Sequence, residues 1–289
     1  ARINYGSTDA NAGFSCYNDD AMFNYLSLNE TRKAIHIPDD VPQWQDYNYD
    51  INKNYIQQHN DTTSVYSFLG DQWFIENLAQ INGMTLKTKR DQWNYTQSAE
   101  FLPRIGGYWK SFSYKNDQVT IDLLTVKGAG HFVPTDRPGP ALQMIHNFIN
   151  KVISAAQRFK LVSERLLVHR ALHHSATATA VYAIFPQHLA DRVWDLPGLT
   201  YDLPFNHYSG YLRASPGNYL HYWFVESQNH PPEDPLILWL NGGPGCSSIG
   251  GLLTEHGPFH VNPDGTTLYE NIYSWNKACT AICTSGELG

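Results

Sequence analysis

Two apolar segments of this chain run straight into glycine loops, and this limits the fold more than any other feature. Pro235 to Leu240 is short and nearly all apolar, as expected of a strand covered on both faces. It delivers Asn241-Gly242-Gly243-Pro244-Gly245-Cys246-Ser247-Ser248. Val119 to Val126, also apolar, runs into Gly128-Ala129-Gly130-His131-Phe132-Val133-Pro134. A glycine loop after a strand suits an oxyanion hole, because glycine lets backbone N–H groups approach a developing negative charge. The alternative is a plain turn, against which the preceding apolar strand and the following Cys-Ser-Ser both argue. His131 sits in the kind of loop where a hydrolase exposes its general base.

At 289 residues the chain can bury a substantial core, as one large α/β domain or two smaller ones. A net charge of −7 argues against a nucleic-acid partner, which would want a basic face. No apolar run approaches the length of a membrane span. The cysteines Cys16, Cys246, Cys279 and Cys283 form no metal-ligand pattern, so neither a metal nor another cofactor is expected. Three sequons, at Asn29, Asn60 and Asn94, favour passage through the secretory pathway. Ala1 opens the chain without an apolar leader, so any signal is expected elsewhere.

Along the chain, residues 1–150 read as a helix-rich segment, a hairpin, a loop and a closing helix. Helices are expected over Ala21 to Leu28, Glu30 to Ile37 and Leu69 to Gln80. The hairpin joins Tyr108 to Tyr114 and Val119 to Val126 around Lys115-Asn116-Asp117. The closing helix holds Pro138 and Pro140 in its first turn and buries Leu142, Ile145 and Ile149. Residues 151–186 are basic and then rich in Ser, Thr and Ala; they read as a linker in preference to a degraded leader. Residues 187–276 begin with a second hairpin, Tyr208 to Arg213 and Tyr219 to Val225, around Ser215-Pro216-Gly217-Asn218. The tail, 277–289, is left unassigned.

The two glycine motifs, together with Arg32-Lys33-Ala34-Ile35-His36-Ile37-Pro38 and Tyr273-Ser274-Trp275-Asn276-Lys277, resemble the serine carboxypeptidases, most closely the cathepsin A-like branch. The resemblance implies an α/β-hydrolase-derived fold and release of C-terminal amino acids from peptides at acidic pH, in a lysosomal or extracellular setting. It implies oxyanion donors at Gly242 and Gly243. Asn241 would hydrogen-bond the substrate's free carboxylate, joined by Glu255, which can donate to a carboxylate only while protonated. His131 would be the catalytic base.

The resemblance also implies a different order and further parts. In that family the Asn-Gly-Gly-Pro-Gly motif comes early and the histidine late; here residues 1–150 match the late part and 187–276 the early part. No Gly-x-Ser-x-Gly nucleophile elbow occurs anywhere in the chain. The strand bearing the family's catalytic Asp is missing before Phe68-Leu69-Gly70-Asp71, and Asp71 matches a non-catalytic position. The family ties the cysteine at Cys246 to one just after a Pro-x-Trp stretch; here that position reads Trp44-Gln45-Asp46-Tyr47. The partner of Cys16 lies in the absent middle. The sheet is therefore expected to be incomplete and rearranged, with bare edges, and the chain inactive as it stands. It is expected to pack as two poorly coupled pieces, 1–150 and 187–276, with His131 out of reach of Gly242 and Gly243. A fusion of tandem copies, a circular permutant and a non-catalytic binder of peptide C-termini all remain open.

Overall fold

A computed structural model describes residues 19–54, 71–97, 102–115, 117–150, 190–242 and 245–285. The described residues fall into two compact units, one within 19–54, 132–149 and 190–285, the other within 71–131 together with Asn150.

The first unit begins with helices α1 (Asp19–Ser27), α2 (Asn29–Ala34) and α3 (Tyr49–Asn54). Asp19 and Asp20 suit the positive start of α1, and Ala21, Met22, Tyr25 and Leu26 make its buried stripe at helical spacing. Arg32 then pins the following turn by donating to the carbonyls of Pro38, Val41 and Pro42. The buried core joins Met22, Tyr25, Leu26, Ile35 and Trp44 to Trp223, Val225, Ile249, Leu252, Leu253, Phe259 and Leu268. Polar contacts cross the same seam: Tyr25 Oη donates to the Pro197 carbonyl at 2.7 Å, and Ser209 Oγ to that of Ile35 at 2.8 Å. This core places 19–54 in one unit with 190–285, a grouping that the expected pieces 1–150 and 187–276 do not contain. The apolar stripe of α1 is buried against segments far along the sequence, so early and late stretches share one interior.

Strands β4 (His207–Ser215) and β5 (Asn218–Val225) form the expected hairpin. The full sheet runs β4-β5-β9-β6, with β6 at Leu236–Trp239 and β9 at Thr280–Ser285. Strand β9 is antiparallel to β5 and parallel to β6. The unassigned tail thus supplies an inner strand. Cover over both faces of β6 is also corrected: Leu236, Leu238 and Leu240 are 62%, 56% and 65% exposed. Being last in the sheet among the described residues, β6 turns only Ile237 and Trp239 inward. Helices α5 (Val133–Asp136) and α6 (Pro138–Ile149) belong to this unit, as do α7 (Ser248–Thr254) and the hairpin β7 (Phe259–Val261) and β8 (Leu268–Glu270). Thr135 Oγ1 ties α5 to α7 by donating to the Thr254 carbonyl at 2.9 Å.

The second unit holds α4 (Asp71–Ile81) and an antiparallel sheet of β1 (Thr85–Tyr95), β2 (Arg104–Tyr114) and β3 (Val119–Val126), with β2 central. The β2–β3 hairpin matches the sequence reading, with Lys115 and Asp117 at positive φ in its turn. Strand β1 was not foreseen, since Lys87, Lys89, Arg90 and Asp91 do not read as a strand. Its pairing with β2 holds it, helped by the Lys87–Asp117 ion pair and by Trp93 Nε1 donating to the Thr125 carbonyl.

Candidate functional site

The loop after β6 is held from three sides. Trp239 Nε1 donates to Asn241 Oδ1 at 2.9 Å, and the Asn241 backbone N–H donates to Ser248 Oγ at 2.9 Å. Asn241 Nδ2 donates to Glu255 Oε1 at 3.1 Å. A side-chain amide carries two N–H donors. The one committed to Glu255 therefore leaves a second for a ligand, on a residue that stays partly exposed. Glu255 is only 5% exposed, just past the end of α7. Gly251 makes this crowding possible, because a Cβ there would stand 2.7 Å from Asn241 Oδ1 and closer still to the Trp239 ring.

Beneath the loop, the buried His256 ring lies 4.5 Å from Trp239 and 5.3 Å from Trp275, centroid to centroid. Burial pushes its pKa down to about 3, with nearby His260 adding to the shift. A neutral imidazole therefore supports the tryptophan that orients Asn241.

On the outer side, Tyr47 and Cys246 face each other across an antiparallel bridge. The Ser247 N–H donates to the Asp46 carbonyl at 3.0 Å, and that of Asn48 to Gly245 at 2.8 Å. Trp44 Nε1 adds a bond to Ser247 Oγ at 3.0 Å. Gly245 is required here, with φ of +107° and the Asn48 carbonyl 2.6 Å from where a Cβ would lie. Cys246 is a free thiol whose pKa is raised by burial and by Asp46.

Of the residues singled out from sequence, Asn241 and Glu255 are brought together. Gly242, next to Asn241, is exposed, and Gly243 lies outside the described residues. His131 is exposed, in the other unit, beyond the turn at Gly128 that ends β3. Asn29 opens α2 and is exposed; Asn94 is half-buried on β1 opposite Ile105; Asn60 lies outside the described residues. The sequence reading missed Trp239, Ser248 and His256 as supports of the loop. The Gly250-Gly251 pair in α7 was the available sign of a close approach. Among the described residues no three His, Cys, Asp or Glu side chains cluster to hold a metal ion. Nor is any described helix long and apolar enough to cross a membrane.

The sequence model of the serine carboxypeptidase family matches residues 1–151 and 197–283, and the chain belongs to that family. It is similar to the lysosomal protective protein of Mus musculus, 63% identical over 99 residues, which cover 34% of this chain and 21% of that protein. Serine carboxypeptidase ctsa-4.1 of Caenorhabditis elegans is 56% identical over 99 residues, again 34% and 21%. Serine carboxypeptidase ctsa-3.2 of the same organism is 33% identical over 178 residues, 52% of this chain and 34% of the relative. The chain thus spans about a fifth to a third of the length of these relatives.

Proposed function

We propose that this chain keeps the carboxylate-recognition part of a serine carboxypeptidase and, as it stands, does not turn peptides over. The observation that carries the first half is the pairing of Asn241 with the buried Glu255. The amide offers its remaining N–H to one oxygen of a peptide's terminal carboxylate. Glu255, when protonated, shares a proton with the other, which favours acidic pH. By family motif, Gly242 and Gly243 match the family's oxyanion donors and His131 its base, roles left idle without a nucleophile. Supporting the second half, no Gly-x-Ser-x-Gly run occurs in the 289 residues, so a seryl acyl-enzyme has no nucleophile elbow to form on. The segments 1–150 and 187–276 stand as the family's late and early parts, joined by 151–186. The partner is a peptide C-terminus, and no cofactor is required.

The test compares an N-blocked dipeptide with its C-terminal amide. The acid is expected to bind weakly and the amide not at all, with Asn241→Ala removing the difference. No hydrolysis is expected between about pH 4.5 and 7. Turnover abolished by a serine-directed organophosphate would overturn the inactive reading; equal binding of acid and amide would overturn the recognition reading.

A secretory or lysosomal route is part of the same proposal, supported by the sequons and by the similarity to the lysosomal protective protein. In a eukaryotic secretory host, Asn29 is expected to be fully glycosylated, since it is exposed at the start of α2. Half-buried Asn94 is expected to be modified only in part. An unchanged mass after glycosidase treatment would count against this route.

A further inference from the structure

The chain contains two Asn-Gly steps, Asn82-Gly83 and Asn241-Gly242. Glycine after asparagine leaves the backbone nitrogen sterically free to reach the side-chain carbonyl carbon, so each step is a candidate for spontaneous deamidation. The structure treats the two differently.

At Asn241 the amide is clamped at both ends, by Trp239 Nε1 at 2.9 Å and Glu255 Oε1 at 3.1 Å, and Gly251 leaves no slack beside it. Rotating its carbonyl carbon towards the Gly242 nitrogen requires both bonds to break. Asn82 is exposed, at the end of α4, where helices fray. Its side chain makes one exposed bond, Nδ2 donating to the Leu78 carbonyl at 2.8 Å. Gly83 is also exposed, with φ of +64° and nothing within 4 Å of a built Cβ. Its N–H meets only the Gln80 carbonyl, at 3.1 Å, within the fraying turn.

We propose that Asn82-Gly83 is a spontaneous modification site, while Asn241-Gly242 is guarded by the hydrogen bonds of its own loop. At Asn82 the Gly83 nitrogen gives its proton to solvent hydroxide and attacks Cγ. The Cγ–N bond forms, the Cγ–Nδ2 bond breaks, and ammonia leaves carrying a proton from water. Water then opens the cyclic imide at either carbonyl, leaving an aspartate or an isoaspartate at position 82. The new carboxylate lies at the negative end of α4 and replaces the donor to Leu78, so the last turn of the helix loosens.

The test incubates the full chain at about pH 8, folded and in guanidinium, and follows both peptides by mass spectrometry, where each event adds about 1 Da. In denaturant both steps are expected to react at similar rates. In the folded chain, position 82 is expected to stay within about threefold of that rate, with position 241 slowed at least about tenfold. Labelling by an isoaspartyl methyltransferase is expected to disappear in Asn82→Gln. Equal native rates at the two steps, a position 82 as slow as 241, or undiminished labelling of Asn82→Gln would each overturn the proposal.

Discussion

Replacing Tyr47 with cysteine is expected to close a disulfide with Cys246 and to stabilise the first unit by about 4 kcal/mol. The bonds from Ser247 to Asp46 and from Asn48 to Gly245 flank the Tyr47–Cys246 pair without joining it. Such non-hydrogen-bonded antiparallel pairs sit with Cα atoms about 4.5 Å apart, within the span that a disulfide bridges. The closed loop would hold roughly 200 residues, for which loop-closure entropy gives about 5 kcal/mol. Against this stands the edge contact of Tyr47 with Tyr49, at 4.8 Å, valued at about 1 kcal/mol. Under oxidising conditions the melting temperature should rise by about 10 °C, and dithiothreitol should reverse the gain. If Cys246 stays open to alkylation in the oxidised variant, the bridge geometry is wrong. The family resemblance located a lost cysteine partner in this stretch, and the structure narrows the position to one residue.

The second large effect is loss of stability in acid. His207, His221 and His256 are all at least nine-tenths buried, and burial first of all holds them at about 4, 4 and 3, below the ordinary 6.5. Arg192 adds to the shift at His207 and His36 to that at His221, while the Ile35 carbonyl opposes the latter. Trp223 Nε1 donates to His207 Nδ1 at 3.1 Å, so protonating that nitrogen would set donor against donor. Each folded pKa lies below its unfolded value, so the unfolded chain binds more protons between them. Stability is therefore complete above about pH 6.5 and falls as the pH drops towards 4. Each histidine contributes on the order of 3 kcal/mol across that window, so three rival the net stability of a typical domain. His260, also pushed down to about 4 by burial, adds a comparable share. The melting temperature is expected to fall by about 10 °C per pH unit within the window. His221→Gln should remove about a quarter of the slope. A flat profile from pH 7 to about 4.5 would refute the account. For a chain proposed to work at acidic pH, this core is a cost that restored disulfides would offset.

Much of the architecture could be read because it is local. The two hairpins carry their turns in sequence, and the Asn241 loop carries its strand. The misses are all decided by partners. Thr280 to Ser285 is too short to declare itself, and becomes a strand because β5 and β6 each offer an edge to it. Charged β1 is held by β2. The stripe on α1 announces burial without naming what buries it, so its grouping with 190–285 could not be read from the sequence. At the candidate site, the Asn241–Glu255 pair joins two motif residues, whereas Trp239 supports it through an indole hydrogen bond and His256 through ring packing, which no spacing encodes.

The shared core also has a consequence in time. Trp44 bonds to Ser247 across 203 positions, and Met22 and Tyr25 share an interior with Leu268. On a ribosome adding about 5–20 residues per second, the first helices wait roughly 10–40 s for the strands that bury them. Their apolar stripe is open throughout that interval. Yield from a cell should therefore depend on how well chaperones shield the nascent chain, and slower translation should make it worse.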